Sequence, residues 1–202
     1  MVTLTHELAH TVFTRCFEDE IAKMGLGGRA LECTGAARYG PKRAAGEADC
    51  GYKPMPARRL NNDWPTLIVE AGVSQRLESL QEDAEWWLET SKGGVGTVIL
   101  IFASRQARLL QFQKWEVKEV VNPQVTRNRN WESERFVQCT GNVEIVGDTA
   151  TGDEIEISFE KIFLRAPEKD DGESNITFTH DALIEIADRV WEGTSSPSRS
   201  PS

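Results

Sequence analysis

Basic charge is scarce in this chain. Its 202 residues carry 23 Lys and Arg against 32 Asp and Glu, a formal charge of −9, with a pI near 5.0. That balance excludes a strong global pull on nucleic acid or anionic membrane, though a local basic groove stays open. No apolar run approaches the roughly 20 residues of a membrane-spanning helix. The start, Met1 to Glu7, has neither the basic flank nor the apolar core of a secretory signal, so an intracellular protein is expected. Cysteines are few: Cys16, Cys33, Cys50 and Cys139, with no C-x-x-C pair. In a reducing compartment they read as ordinary thiols rather than disulfides or a zinc knuckle.

What is present suffices for one sizeable core, at 39% hydrophobic content. One domain is expected over residues 1–192. The Ser- and Pro-rich stretch 193–202 reads as a disordered tail.

The organising stretch is Trp64 to Ser74. Leu67 to Val69 is a short apolar run and reads as a strand buried on both faces. It ends in one carboxylate, Glu70. Gly72 then reads as a strand breaker and Ser74 as a helix cap. The helix expected over 74–90 places Val73, Leu77, Leu80, Ala84, Trp87 and Leu88 on one face. Trp86 and Trp87 read as core rather than as a base-stacking platform.

Around this stretch, residues 3–24 read as a helix capped by Thr3 or Thr5 and stopped by Gly25-Leu26-Gly27-Gly28. A short strand over 48–52 carries Asp49. Thr97 to Phe102 is a strong strand signal, and residues 107–115 alternate as its hairpin partner. Residues 117–135 look polar and irregular. Segments 141–146 and 154–164 read as an antiparallel pair, and a closing helix starts at a Thr179 cap. The pattern is a mixed α/β sheet with long helices packed on it.

Two constellations could carry chemistry. His6-Glu7-Leu8-Ala9-His10 fits H-E-x-x-H on a helix, the zinc-protease pattern. Its context is poor, because five residues precede it and the remaining histidine, His180, lies in a late polar segment. The plain reading is a solvated helix start. The second is Asp49 with Glu70, 21 residues apart at predicted strand ends. Two carboxylates meeting at a sheet edge suit Mg²⁺, a hard ion that keeps several waters. Such an ion could activate water against a phosphodiester. The alternative is a turn aspartate and a solvated glutamate.

The ordered segments Gly46 to Pro54, Trp64 to Ser74, Asp83 to Leu88, Val98 to Ile101 and Lys114-Trp115-Glu116 resemble a group of fungal proteins of uncharacterised function. That group is similar to restriction-endonuclease-like proteins of the PD-(D/E)XK nuclease superfamily. The resemblance covers roughly residues 40–116 and implies a core of helix, three strands, helix and strand. It implies a restriction-endonuclease-like mixed sheet flanked by helices, here with an antiparallel C-terminal extension and a closing helix. It implies that Asp49 and Glu70 are the metal-binding, catalytic acids, with Mg²⁺ or Mn²⁺ as the cofactor. The pattern wants lysine two positions after the acid, where this chain has Gly72. The helix over 74–90 contains no lysine, and Arg76 and Gln81 are its nearest polar substitutes. Gln81 is therefore the third candidate catalytic residue, and the missing cation puts cleavage in question more than fold.

From Arg29 to Arg59 the chain holds seven basic and three acidic residues. That stretch is the candidate contact for DNA or RNA phosphates; a flexible basic loop without such a role fits equally. Three functions follow: a Mg²⁺-dependent nuclease, a nuclease-fold binding or scaffold protein without catalysis, and a zinc protease through His6, Glu7 and His10. No membrane association is expected.

Overall fold

The computed structural model describes residues 3–28, 30–41, 45–73, 76–121 and 133–194. Helix α1 (Leu4–Lys23) is capped by Thr3, whose hydroxyl accepts from the His6 amide. Short strands follow: β1 (Leu31–Cys33), β2 (Arg38–Tyr39), β3 (Gly46–Glu47) and β4 (Cys50–Pro54). Then come β5 (Leu67–Val73), helix α2 (Leu77–Thr90), β6 (Thr97–Ser104), β7 (Leu109–Val121), β8 (Ser133–Val146) and β9 (Thr149–Gly152). The chain closes with β10 (Ile155–Ile157), α3 (Phe159–Phe163), β11 (Ile176–Phe178) and α4 (His180–Glu192).

The main sheet has seven strands in the order β1-β4-β5-β6-β7-β8-β9. Only β5 and β6 run parallel, because α2 carries the chain back across one face. The order helix, three strands, helix, strand is realised by α1, β1, β4, β5, α2 and β6, with the β2–β3 hairpin inserted. The protein is thus the mixed α/β type expected, its sheet covered by helices on both sides.

The period-2 alternation of β5 assigns those sides. Leu67, Val69 and Ala71 enter the larger core with Phe13 and Phe17 of α1 and Leu183 and Ile186 of α4. Ile68 enters the smaller core with Leu80, Ala84, Trp87 and Leu88 of α2. Glu70 and Gly72 share the face of Ile68 and so point toward α2.

Several expectations are corrected. Gly72 does not break the strand: it pairs with Phe102 inside β5, and Val73 pairs with Ala103 rather than joining the helix. The α2 cap residue is Arg76, without a side-chain cap bond; Ser74 lies outside the described residues. Residues 117–121 and 133–135 continue the β7–β8 ladder, whose far end exposes charged residues together with Val120, Val121 and Phe136. The segment 154–164 does not pair with 141–146. Strand β8 hairpins with β9 instead, β10 pairs with β11, and Phe159–Phe163 is a helix capped by the Ser158 hydroxyl. The Thr179 cap is present, accepting from the Ala182 amide. Gly193 and Thr194 still bond back to Arg189 and Trp191, and the rest of the expected tail lies outside the described residues. Among the described residues no helix is long and apolar enough to cross a membrane.

Candidate metal and active site

Strand register brings the two sequence-predicted acids together. Cys50 pairs with Val69 in the antiparallel β4–β5 ladder. One step outward, Asp49 therefore stands opposite Glu70. The Asp49 carboxylate closes the edge by accepting from the Ala71 amide, 2.7 Å to Oδ2.

Glu70 is held from the other side. Trp87 of α2 donates its indole N–H to Glu70 Oε1 at 2.8 Å. Burial pushes the Glu70 carboxyl up to about 8, and the neighbouring Asp49 and Asp83 charges push the same way. The Trp87 indole and the Asp49 backbone N–H oppose the rise without cancelling it. Among the described residues no lysine or arginine contributes to holding that charge. Two opposed carboxylates thus meet where the β4–β5 ladder ends.

Two residues join the pair that the sequence had not assigned to it. Asp83 comes from α2, its carboxyl raised by burial, by Glu82 and by Asp49. Asp83 itself is exposed, but it lies one turn before Trp87 and three residues after Leu80, both inward-facing, which sets it at the margin of the buried face. His6 comes from α1, with Nε2 3.4 Å from Asp49 Oδ2. No spacing rule links residue 6 to residue 49; only the packing of α1 across the sheet edge does.

Gln81 stands over the same sheet face. The row Glu70, Leu100, Gln113, Asn142 crosses four neighbouring strands. The Gln81 amide donates to Gln113 Oε1 at 3.1 Å, and Gln113 in turn donates to Asn142. Its side chain is thus tied two strands away from Glu70 in the β5-to-β7 direction.

The basic stretch is less open than its composition suggests. Lys53 is buried, and its ammonium donates to the Leu60 carbonyl at 3.0 Å. Arg58 donates to the Trp64 and Gly94 carbonyls, and Arg38 faces Glu47. Three of the seven basic residues are thus engaged within the protein. Arg29, Lys42 and Arg43 lie outside the described residues. Trp87 does read as core, buried against Tyr39, Trp64 and Trp86, while Trp86 itself is half-buried.

The fold and the acidic pair define a class, a mixed α/β protein with two opposed carboxylates at the end of the β4–β5 ladder. No family model matches the sequence, and no curated protein matches it. Among solved structures, the chain is similar to a DUF820 protein from Anabaena variabilis described as a candidate nuclease. The two share 9% identity over 93% of this chain and 84% of that one, with a TM-score of 0.49. A likeness of that size leaves the site to be argued from its own geometry.

Proposed function

We propose that this is a Mg²⁺- or Mn²⁺-binding protein of the nuclease class that engages nucleic-acid phosphodiesters through an ion held by Asp49 and Glu70. The observation that carries the reading is the opposition of the two carboxylates, with no lysine or arginine among the described residues acting on Glu70. A divalent cation is what such a pair lacks: it would offset the repulsion and restore the charged form of Glu70. Hard oxygen ligands, few in number and completed by water, suit Mg²⁺ or Mn²⁺. An ion there would polarise a phosphoryl oxygen and lower the pKa of a bound water.

Cleavage is expected to be slow. The position after the acid that the nuclease pattern gives to lysine is Gly72. Gln81 is the neutral polar group nearest in role, and it is already bonded to Gln113. This favours binding with weak hydrolysis over efficient digestion.

The test is thermal unfolding of the full chain with added Mg²⁺ or Mn²⁺. Ligand binding to the folded state raises the midpoint by mass action. The rise should vanish in Glu70→Gln and in Asp49→Asn. A wild-type midpoint indifferent to millimolar metal would sink the proposal.

A further inference from the structure

The H-E-x-x-H segment is not a plain solvated helix start. His6, Glu7 and His10 bring one candidate ligand atom each to within 4.8 Å of one another. The Glu7 carboxylate lies between the two rings, 3.7 Å from His6 Nδ1 and 3.4 Å from His10 Nε2. Four ligands placed tetrahedrally about zinc at ~2.0–2.1 Å stand roughly 3.3 Å apart. The two glutamate–histidine separations, one to Oε1 and one to Oε2, are near that value, and the three candidate ligand atoms all lie within 4.8 Å of one another.

A second, independent observation points to a ligand. His6 Nδ1 is buried and has no hydrogen-bond partner, the one such side-chain atom among the described residues. A buried nitrogen left unpaired gives up its hydration without a replacement, so its presence calls for an explanation. The opposite nitrogen of the same ring, Nε2, faces Asp49 Oδ2 at 3.4 Å. A carboxylate on one ring nitrogen sets the tautomer that leaves the other nitrogen as a lone-pair donor. In that tautomer the orphaned Nδ1 presents a lone pair able to ligate a metal.

We infer that His6, Glu7 and His10 form a zinc site on the first turns of α1, with Asp49 as the carboxylate that orients His6. Two imidazole nitrogens and one carboxylate oxygen make a borderline donor set that suits Zn²⁺ better than Mg²⁺. Glu7 is half exposed, at 55%, so the ion can enter from solvent and complete its shell with water. This differs from the protease pattern, in which the glutamate is a base and a third protein ligand comes from elsewhere. Here Glu7 sits among the ligands, and His180 turns its Nε2 to the Gly152 carbonyl instead. Asp49 links this site to the all-carboxylate site without being a ligand of zinc.

Chelator-stripped full-length protein should take up one zinc per chain in calorimetric titration and elemental analysis. His10→Gln should weaken that binding at least about 100-fold, and Asp49→Asn about 10–100-fold, the usual cost of removing a carboxylate behind a ligating histidine. Glu70→Gln should leave zinc binding unchanged, and His10→Gln should keep the magnesium-dependent thermal shift. That double separation distinguishes failure of this site from failure of the magnesium reading. Zinc should also protect His6 and His10 of the wild-type protein from acylation by diethylpyrocarbonate, a readout that needs no variant. Stoichiometric zinc retained by folded His10→Gln, no zinc uptake by the wild type, loss of zinc in Glu70→Gln, or no protection of the two histidines would each overturn the inference.

Discussion

Trp87 and Glu70 are joined by a 2.8 Å hydrogen bond from the indole nitrogen to Oε1, although one lies on a helix and the other on a strand. The bond ties α2 to the carboxylate at the centre of the site, and both partners are largely removed from water. Replacing Trp87 by Phe removes the donor and keeps most of the apolar bulk. We expect a loss of about 1–3 kcal/mol, the cost of leaving a buried acceptor unpaired plus a small packing deficit. The same change should raise the Glu70 pKa further. Urea unfolding and NMR titration of the labelled carboxyl carbon would read the two effects separately.

Metal-free stability should fall as pH rises toward 8. The folded Glu70 carboxyl titrates at about 8, against an ordinary value of 4.5. Between these values the folded state holds a proton that the unfolded state releases. Stability is therefore greatest below the ordinary value and declines across the window, by a few kcal/mol in all. Glu70→Gln should flatten that decline and make the apo protein more stable than wild type at pH 8. Added Mg²⁺ should restore the wild type there and leave the variant unmoved. Equal pH profiles for wild type and variant would contradict this.

Restoring the missing lysine will meet a side chain rather than a backbone barrier. Gly72 lies in ordinary extended strand conformation, but a Cβ there would come within 2.6 Å of Leu80 Cδ1. Leu80 is buried in the α2 core. Gly72→Lys should therefore cost about 1–3 kcal/mol through overpacking. Pairing it with Leu80→Ala should admit the lysine, at the cost of the lost leucine contacts. Any gain in Mn²⁺-dependent cleavage of DNA or RNA should appear in the double variant before the single one.

The Lys114-Trp115-Glu116 segment serves the fold. Glu116 is buried, paired with Lys161 at 2.8 Å and Lys114 at 3.7 Å, and it accepts from the Thr97 and Thr140 hydroxyls. Burial acts to raise its carboxyl, but the Lys161 bond and charge, then Lys114, hold it below the usual value. A depressed carboxylate contributes stability above its ordinary pKa and loses it as pH falls through the folded one. Lys161→Met should cost on the order of 2–3 kcal/mol, less than a fully buried pair because other partners remain. It should also move the acid-unfolding midpoint to higher pH.

Cys33 should be the reactive thiol. Its Sγ lies 3.2 Å from that of Cys50, and Cys33 is exposed while Cys50 is buried. The hydrogen bond from Cys50 lowers the Cys33 thiol to about 6, while Cys50 itself is pushed up by that bond and by burial. At pH 7 iodoacetamide should modify Cys33 ahead of Cys16 and Cys139, whose thiols burial raises. Peptide mass spectrometry at partial labelling would show the order, and Cys50→Ala should slow it.

Local pattern alone specified a good deal of this protein. The α1 cap at Thr3, the buried run of β5, the apolar face of α2 and the α4 cap at Thr179 all follow from short-range rules. Side-chain period and capping chemistry act within a few residues. The same rules failed where pairing is remote. Val117 to Val121 extend β7 alongside β8 although two charged residues interrupt the valines, and Gly72 stays in β5 through its pairing with β6, with Leu80 packed into the space of its missing side chain. The site divides in the same way. Asp49 and Glu70 were visible as acids near predicted strand ends, although Glu70 lies inside β5, and their opposition depends on the β4–β5 register. The high Glu70 pKa depends on burial beneath α2 and on the charges of Asp49 and Asp83 brought beside it. His6 meets Asp49 only because α1 crosses the edge of the sheet. Charge–charge and charge–solvent terms depend on distance through space, and only the tertiary structure sets that distance.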